Sequence, residues 1–293
     1  MKIIKEYVKT FSGEHTPCCK AAPGETLKFQ TLDCYSGTVK TDADFPSELD
    51  EETSDLATGL VCIEGAEKGD VLVVDILEIE VDKQGVCCAI GGPLMETAQP
   101  RTKVIPIENR IATFNDIQWE VDPMIGVIGV APAETAIPCV LPGSHGGNMD
   151  SKMIRRGSRI YLPVQVEGAL LGMGDVHASQ GDCELCGNGI EIAAEITVKV
   201  SLIKNFQLIW PVTETKEKWY VNVAAPDYET ALKTSCAELQ RLIMDAYGWD
   251  ATDAFLYLSL QGDVEINQFT LPCPIDMILR VGVPKLAGKA LVK

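Results

Sequence analysis

Histidine is scarce in this chain, which has three among 293 residues: His15, His145 and His177. Imidazole is a common metal ligand and titrates near neutral pH, so any site that uses it must draw on these three. A site built from more than three histidines is therefore excluded. His145 and His177 each lie in a stretch rich in glycine and acidic residues, at residues 143–150 and 174–184.

Basic residues are outnumbered, and long apolar runs are missing. The chain has 25 lysines and arginines against 42 aspartates and glutamates, a formal net charge of −17. Such a surface repels phosphate and anionic lipid, which argues against nucleic-acid and membrane partners. No stretch reaches the roughly 18 apolar residues that a membrane span needs. The N-terminus lacks the apolar core of a signal peptide, so we expect a cytoplasmic protein.

Signatures of several enzyme classes are absent. The sequence has no GxSxG elbow and no P-loop. The eleven cysteines are odd in number and lack an export signal, which predicts reduced thiols. Cys183 and Cys186 form a single CxxC, too few for a four-sulfur zinc site, and the glycines that follow indicate a turn instead of a redox helix. We interpret the pair as incidental, with a thiolate ligand from either cysteine as the alternative.

What is present indicates strands over most of the chain. Residues 72–81 and 190–200 contain the apolar–polar alternation of half-exposed strands. Glycine turns precede several apolar segments, as in β-sandwiches and barrels. Residues 41–58 are acidic and poor in apolar residues, which predicts an exposed loop.

The composition changes near Pro226. Asp227 can cap a helix over residues 227–247, and Gly248 can end it. A second helix is predicted near residues 252–260, followed by a strand near 275–283. We therefore expect a β-rich body over residues 1–205 that carries the active-site segments, and an α+β part over residues 206–293.

The segment GSHGGNMD at residues 143–150 has three glycines, which allow sharp turns and close approach to another group. His145, Asn148 and Asp150 could then converge on one point. A surface loop with a solvated histidine is the alternative, and composition alone slightly favours that alternative.

The segment GDVHASQGDCE at residues 174–184 follows an apolar run. If a strand continues through Asp175 and His177, their side chains share one face, because strand faces repeat every two residues. A turn near residues 180–182 can bring Glu184 back as a third ligand. One histidine with two carboxylates is a recognised catalytic zinc or iron set. A hydrogen-bonded Asp175–His177 pair closing a hairpin is the alternative.

Taken in order, these segments resemble the acetamidase/formamidase family. The matching motifs are CIEGAEKGDVL at 62–72, PMIGVIGVAP at 123–132, HGGNMD at 145–150, GS and YLPV within 157–164, GAL at 168–170 and GDVHASQGD at 174–182. They span most of the chain. One departure is Cys183, where the family usually has glycine. Its sulfur would narrow the pocket or reach a metal.

The resemblance implies a mainly β fold, a β-sandwich of jelly-roll-like character. Together with the two helices predicted from the residues, which form a C-terminal α-helical hairpin, the expected fold is α+β overall. It also implies a homo-oligomer that hydrolyses short aliphatic amides, such as acetamide and formamide, to carboxylate and ammonia. A metal suits this reaction because it polarises the amide carbonyl and, for zinc, lowers the pKa of bound water to about 7. We expect zinc, with calcium or magnesium as an additional ion, and a small neutral amide as substrate.

The predicted metal ligands are Asp150, Asp175, His177 and Glu184. Glu184 is alternatively the general base, and His145 a catalytic or ligand-orienting residue. Asn148 is predicted to hydrogen-bond the amide or its oxyanion, and His15 is a weaker candidate. Two rivals stay open: a thiol amidase that uses Cys183 or Cys186 with a histidine, and a non-catalytic amide-binding protein with a structural metal.

Overall fold

The computed structural model describes residues 1–46, 53–270 and 275–293. Its strands, in chain order, are β1 (Lys2–Ile4), β2 (Tyr7–Val8), β3 (Thr10–Phe11), β4 (Cys19–Ala21), β5 (Thr26–Thr31), β6 (Ala57–Ile63), β7 (Val71–Val81), β8 (Gln84–Ala89), β9 (Arg101–Glu108), β10 (Ile111–Phe114), β11 (Ile117–Glu120), β12 (Met124–Gly129), β13 (Ile137–Pro138), β14 (Pro142–Gly143), β15 (Gly146–Asn148), β16 (Arg159–Pro163), β17 (Leu171–His177), β18 (Glu191–Ile192), β19 (Ala194–Ile203), β20 (Val212–Glu214), β21 (Lys218–Ala225), β22 (Asp263–Gln268) and β23 (Met277–Pro284). Two helices precede β22: α1 (Tyr228–Tyr247) and α2 (Ala251–Gln261).

Two large sheets face each other across an apolar core. In the described ranges, one sheet has the order β1-β5-β19-β7-β16-β20-β21-β23-β22. The other has the order β11-β10-β9-β8-β18-β17-β12-β15-β14, and β6 joins it by pairing with β17. Phe29 and Ile196 from the first sheet pack in one cluster with Ile125 and Met173 from the second. The prediction of a mainly β sandwich with C-terminal helices is confirmed.

The alternation in β19 explains how this strand sits in the sandwich. Ile196, Val198 and Val200 are fully buried against the opposite sheet. Lys199 is exposed, and Glu195 accepts a hydrogen bond from Lys28 at 2.5 Å on the other face. Burying one face in this way is favourable because the hydrophobic effect scales with the apolar area removed from water.

β12 and β17 lie in the middle of the second sheet, and every residue in them is buried. They run antiparallel, with Met124 opposite His177 and Gly129 opposite Gly172. A polar side chain on either strand is removed from water, which is costly unless it finds a partner. These strands carry the candidate site.

The C-terminal helices cover one part of the nine-stranded sheet and enclose a second apolar core. Asp227 caps α1 by accepting a hydrogen bond from the backbone of Thr230, and Gly248 ends the helix in the left-handed conformation, as the cap residues predict. Both helices and β23 lie within two residues of their predicted bounds. Neither helix is long and apolar enough to cross a membrane within the described residues.

The boundary predicted at residue 205 runs through the nine-stranded sheet, because β16 pairs with β20 and β20 with β21. Strands from both predicted parts therefore share this sheet. The division of the chain into two parts stays a prediction.

Of the acidic segment at 41–58, residues 47–52 lie outside the described residues. The expected exposure holds for most of residues 41–46. It does not hold for Asp55, which is 6% exposed, or for residues 57–58, which belong to β6.

Candidate functional site

Four acidic residues and one histidine meet beside β17 and β18. Asp175 and His177 come from β17, and Glu191 of β18 stands opposite His177 in the strand register. Glu184 lies in the connection between these strands. Asp150 follows β15, which reaches the same place because β15 and β17 both pair with β12. We call these five residues the His177 cluster.

The cluster is built around the imidazole of His177, which is 1% exposed. Its Nε2 lies 3.1 Å from Oε2 of Glu191 and 3.3 Å from Oδ2 of Asp175. Oδ1 of Asp150 is 3.9 Å from the same nitrogen. Nδ1, on the other side of the ring, lies 3.8 Å from Oε1 of Glu184. One nitrogen therefore faces three carboxylates and the other faces the fourth.

The side chain of Gln180 forms a hydrogen bond with Nδ1 of His177. Its amide nitrogen donates to the backbone carbonyls of Asp150, at 2.8 Å, and Asn267, at 3.4 Å. The amide oxygen is thereby turned towards Nδ1 of His177, at 2.8 Å, and can only accept there. Nδ1 is then a donor, and Nε2, which lies 3.3 Å from Oδ1 of Asp175, is the nitrogen whose proton a metal ion would displace. A hydrogen bond of this kind commonly orients a metal-binding histidine.

The cluster has more acidic than basic side chains. Burial raises the pKa of Asp150 to about 8 and that of Glu191 to about 7, and it raises the pKa of Glu184 well above the ordinary value. Burial lowers the pKa of His177, but the charges of Glu191 and Asp175 outweigh it and raise this pKa overall. Among the described residues, no lysine or arginine forms an ion pair with the four carboxylates. A bound cation would supply the missing charge.

The donor set fits a divalent cation. Ligand atoms lie within 4.8 Å of one another in two overlapping sets: Asp150, His177 and Glu184, and Asp175, His177 and Glu191. Two ligands about 2.1 Å from a tetrahedral zinc ion are roughly 3.4 Å apart, close to the 3.1 and 3.3 Å measured around Nε2. Oε2 of Glu191 is buried and forms no hydrogen bond with the described residues, which leaves it available as a ligand.

Two glycines make room for these groups. A Cβ at Gly126 would lie 2.7 Å from Oδ1 of Asp150, and a Cβ at Gly189 would lie 2.6 Å from Nδ1 of His177. Both distances are shorter than real Cβ contacts, so a larger residue at either position would displace the cluster.

Asn148 and Asp150 converge, as the sequence predicts. With its amide oriented to satisfy the surroundings, the nitrogen of Asn148 donates to both carboxylate oxygens of Asp150, at 2.9 and 3.1 Å. Asn148 thus holds a member of the cluster, and this contact differs from the predicted contact with the amide substrate.

The structure does not bring His145 to this point. The backbone carbonyl of His145 accepts a hydrogen bond from the N–H of Val130 at 3.0 Å. Val130 follows the end of β12 that lies away from Met124 and His177. Its ring packs edge-on against Phe11, with centroids 5.3 Å apart. Neither ring nitrogen has a hydrogen-bond partner among the described residues. The expected convergence of His145 with Asn148 and Asp150 is therefore corrected: strand register carries His145 away from them.

The remaining candidates also lie outside the His177 cluster. Nε2 of His15 is 2.8 Å from the hydroxyl of Thr10. The Cys183 thiol donates to the carbonyl of Phe269 at 3.6 Å. The sulfur of Cys186 is 3.8 Å from that of Cys87, so the two CxxC cysteines have different partners.

Sequence reasoning missed three groups at the site. Glu191 needs the β17–β18 register to place it opposite His177, and Gln180 was noticed only as part of a motif. Asp55, buried near Asp175, belongs with Cys34 to a third set of ligand atoms within 4.8 Å. If the strand that ends at His177 is paired with the strand that follows the glycine-rich turn, Glu191 lies opposite His177. No local signal identifies Asp55, which lies 120 residues before Asp175.

Comparison with known proteins gives related sequences and structures. A model of the Acetamidase/Formamidase family matches residues 131–268, which include the whole His177 cluster. A crystal structure from Thermoanaerobacter tengcongensis, described as a "recombinant predicted acetamidase/formamidase", has a TM-score of 0.92 to this chain. The two are 34% identical over 97% of this chain and 95% of that one. The chain belongs to the acetamidase/formamidase family.

Other relatives of this family member are similar over different lengths. An acetamidase structure from Bacillus halodurans has a TM-score of 0.91 and 32% identity, over 96% of this chain and 97% of that one. The formamidase of Methylophilus methylotrophus is 27% identical, and the match covers 62% of this chain. The match covers 60% of the length of this and another curated relative.

Proposed function

We propose that this family member is a metal-dependent amidohydrolase that cleaves short aliphatic amides, such as acetamide and formamide, to a carboxylate and ammonia. Family membership supports the reaction class. The observation that carries the metal dependence is Nε2 of His177, which faces three buried carboxylates while Nδ1 is engaged by Gln180.

The residues that would hold the ion are the four cluster members around Nε2: Asp150, Asp175, His177 and Glu191. Mixed imidazole and carboxylate ligands suit zinc. Calcium or magnesium, which prefer oxygen ligands, is proposed only as an additional ion. When bound, zinc would polarise the amide carbonyl and lower the pKa of a coordinated water.

Glu184 is the residue to which we assign proton transfer. Burial raises the pKa of Glu184 well above the ordinary value, which makes its carboxylate a stronger base than that of an ordinary glutamate. It would take a proton from the attacking water, whose oxygen bonds to the carbonyl carbon. It would then give that proton to the nitrogen as the carbon–nitrogen bond breaks and ammonia leaves.

The supporting residues would keep this geometry. Gln180 fixes the His177 ring, and Asn148 holds the Asp150 carboxylate through two hydrogen bonds. His145 has no role in this proposal because its ring lies elsewhere. The homo-oligomer and the cytoplasmic location stay proposals that rest on the resemblance and on composition.

The two rivals have less support. A thiol amidase needs a base next to its cysteine, and no histidine nitrogen contacts the thiol of Cys183 or Cys186 in the described residues. A binding protein with a structural metal would use the same cluster, and only turnover separates it from an enzyme.

Ammonia release from a panel of short amides tests the proposal. We expect turnover of acetamide or formamide that is lost with a strong chelator and restored by zinc. Saturable amide binding without ammonia release would favour the binding protein. Turnover that is indifferent to the chelator but lost in Cys183→Ser or Cys186→Ser would favour the thiol amidase.

A further inference from the structure

Arg280 is a fully buried arginine that reaches the connection carrying Gln180 and Glu184. It lies on β23, and its side chain is 0% exposed. Its guanidinium donates to Asp182 at 2.8 Å, to Asn267 at 2.6 Å and to Glu265 at 2.7 Å. A buried charge is stable only when it is paired and hydrogen-bonded. These three partners are therefore fixed relative to one another.

The partners of Arg280 belong to two different parts of the chain. Glu265 and Asn267 are on β22, next to β23 in the nine-stranded sheet. Asp182 is in the connection between β17 and β18, between Gln180 and Glu184. Arg280 therefore joins the C-terminal sheet to the connection that supplies two residues around His177.

Further hydrogen bonds link this connection to β22 and to the residues that follow β22. The N–H of Cys183 donates to the carbonyls of Ile266 and Asn267, both at 3.0 Å. The hydroxyl of Thr270 donates to the carbonyl of Glu184 at 2.8 Å. The connection thus runs beside the end of β22, and the two residues after Asp182 are held by β22 and by Thr270 beyond it.

Asn267 also contacts the segment on the other side of the cluster, next to Asp150. Its side-chain nitrogen donates to the carbonyl of Met149 at 3.1 Å, next to Asp150. Its backbone carbonyl accepts from the amide of Gln180 at 3.4 Å. Asn267, the residue that Arg280 holds most closely, therefore contacts the segment that carries Asp150 and the connection that carries Glu184.

We propose that Arg280 is a positioning residue: through Asp182 and Asn267 it holds Gln180 against Nδ1 of His177 and Glu184 beside the ring. The effect of this positioning on amide hydrolysis rests on the proposed function. The positioning itself can be measured on the metal-free protein.

Two carboxylates on one guanidinium provide a matched pair of variants. Asp182→Ala removes the partner in the connection, and Glu265→Ala removes the partner on β22. The side chains of Asp182 and Glu265 are 36% and 25% exposed. Asp182 also forms an ion pair with Lys152 at 2.9 Å, so Lys152→Ala is the control for the loss of that pair. Asp182→Asn keeps an acceptor without the charge and serves as the conservative variant.

The first readout is the Nδ1–H proton of His177 in nitrogen-edited NMR spectra of the metal-free protein. The chain has three histidines, so imidazole signals can be assigned by substitution. We expect a proton protected from solvent exchange in the wild type and in Glu265→Ala. In Asp182→Ala the protection should fall, because Gln180 is no longer held, and Asp182→Asn should restore it in part.

The second readout is the zinc affinity, measured by competition with a chromogenic chelator. Loss of an outer partner of a metal ligand typically weakens metal binding by roughly 10–100-fold. We expect a loss of this size in Asp182→Ala and an affinity close to wild type in Glu265→Ala. Thermal unfolding shows whether each variant is folded.

The proposal is overturned if Asp182→Ala leaves Nδ1–H protected, or if the two alanine variants change both readouts equally. The second result would make Arg280 a residue of general stability. If the wild type releases no ammonia but Asp182→Ala still loses protection, the amidase proposal fails and the positioning role stands.

Discussion

His145 and His177 have the same burial but opposite surroundings. Each is 1% exposed, and each comes from a glycine-rich segment of a family motif. The ring of His145 packs against Phe11, and burial lowers its pKa to about 4. His177 lies among four carboxylates, and its pKa is raised. The difference shows that the charges around a buried imidazole, more than its burial, make it a candidate metal ligand.

Replacing each histidine by alanine is expected to give the largest contrast. His177→Ala removes the atom that faces three carboxylates, so zinc affinity and amide turnover should each fall by at least about 100-fold. In His145→Ala, turnover per folded molecule should stay close to wild type. Metal analysis and ammonia release on both purified variants would check this. Equal losses of turnover in the two folded variants would remove the contrast.

Acid stability should depend on His145. Its folded pKa, about 4, is below the ordinary value of 6.5, so the folded state favours the neutral ring. This stabilisation is fully present above pH 6.5 and is lost as the pH falls towards 4, because the unfolded state binds the proton first. The loss should reach up to about 3 kcal/mol.

Urea unfolding at several pH values measures this dependence. Between pH 6.5 and 4, the free energy of unfolding of His145→Ala should fall less steeply than that of the wild type. Parallel curves for the two proteins would show that other groups cause the acid loss.

Cys183 offers a smaller effect on the connection beside His177. Its φ of +75° is in the left-handed region, which costs a non-glycine residue roughly 1–2 kcal/mol. Cys183→Gly should relieve this strain. The greater freedom of glycine in the unfolded chain offsets part of it, so we expect a gain of up to about 1 kcal/mol in the free energy of unfolding.

Cys183→Ala is the matched control for that prediction. Alanine removes the sulfur but keeps the strained conformation, so it should not stabilise the protein. If alanine and glycine stabilise equally in thermal unfolding, the effect comes from the thiol and not from the backbone.

Cys186→Ser should have the smallest effect. The thiol of Cys186 contacts Cys87 and the carbonyl of Asn188 and lies outside the ligand sets that contain His177. We expect ammonia release within about twofold of wild type, as for substitutions away from special features. Inactivation of the folded variant would revive the thiol mechanism.

Local patterns were sufficient to predict much of the fold. Helix capping depends on residues that are neighbours in the sequence, so the ends of α1 at Asp227 and Gly248 could be predicted. The alternation around Ile196 is also a local pattern, and it predicts the one buried face of β19. Asp55 was misjudged, because its burial follows from the packing of distant segments and not from the acidic composition around it.

The candidate site was predicted in part. Asp175 and His177 are two residues apart on one strand, so their proximity follows from strand geometry. Glu191 and His145 depend on strand pairing: the β17–β18 register brings Glu191 to His177, and the β12–β15 register leaves His145 far along the sheet. Pairing register is set by long-range packing, and a single sequence does not reveal it.

The claim that the His177 cluster binds a catalytic cation can be tested directly by anomalous diffraction at the zinc absorption edge from zinc-loaded crystals. We predict a peak within coordinating distance of Nε2 of His177 and of at least two carboxylates among Asp150, Asp175, Glu184 and Glu191. A fully loaded crystal with zinc only at other positions, and His177 held by hydrogen bonds alone, would contradict this account.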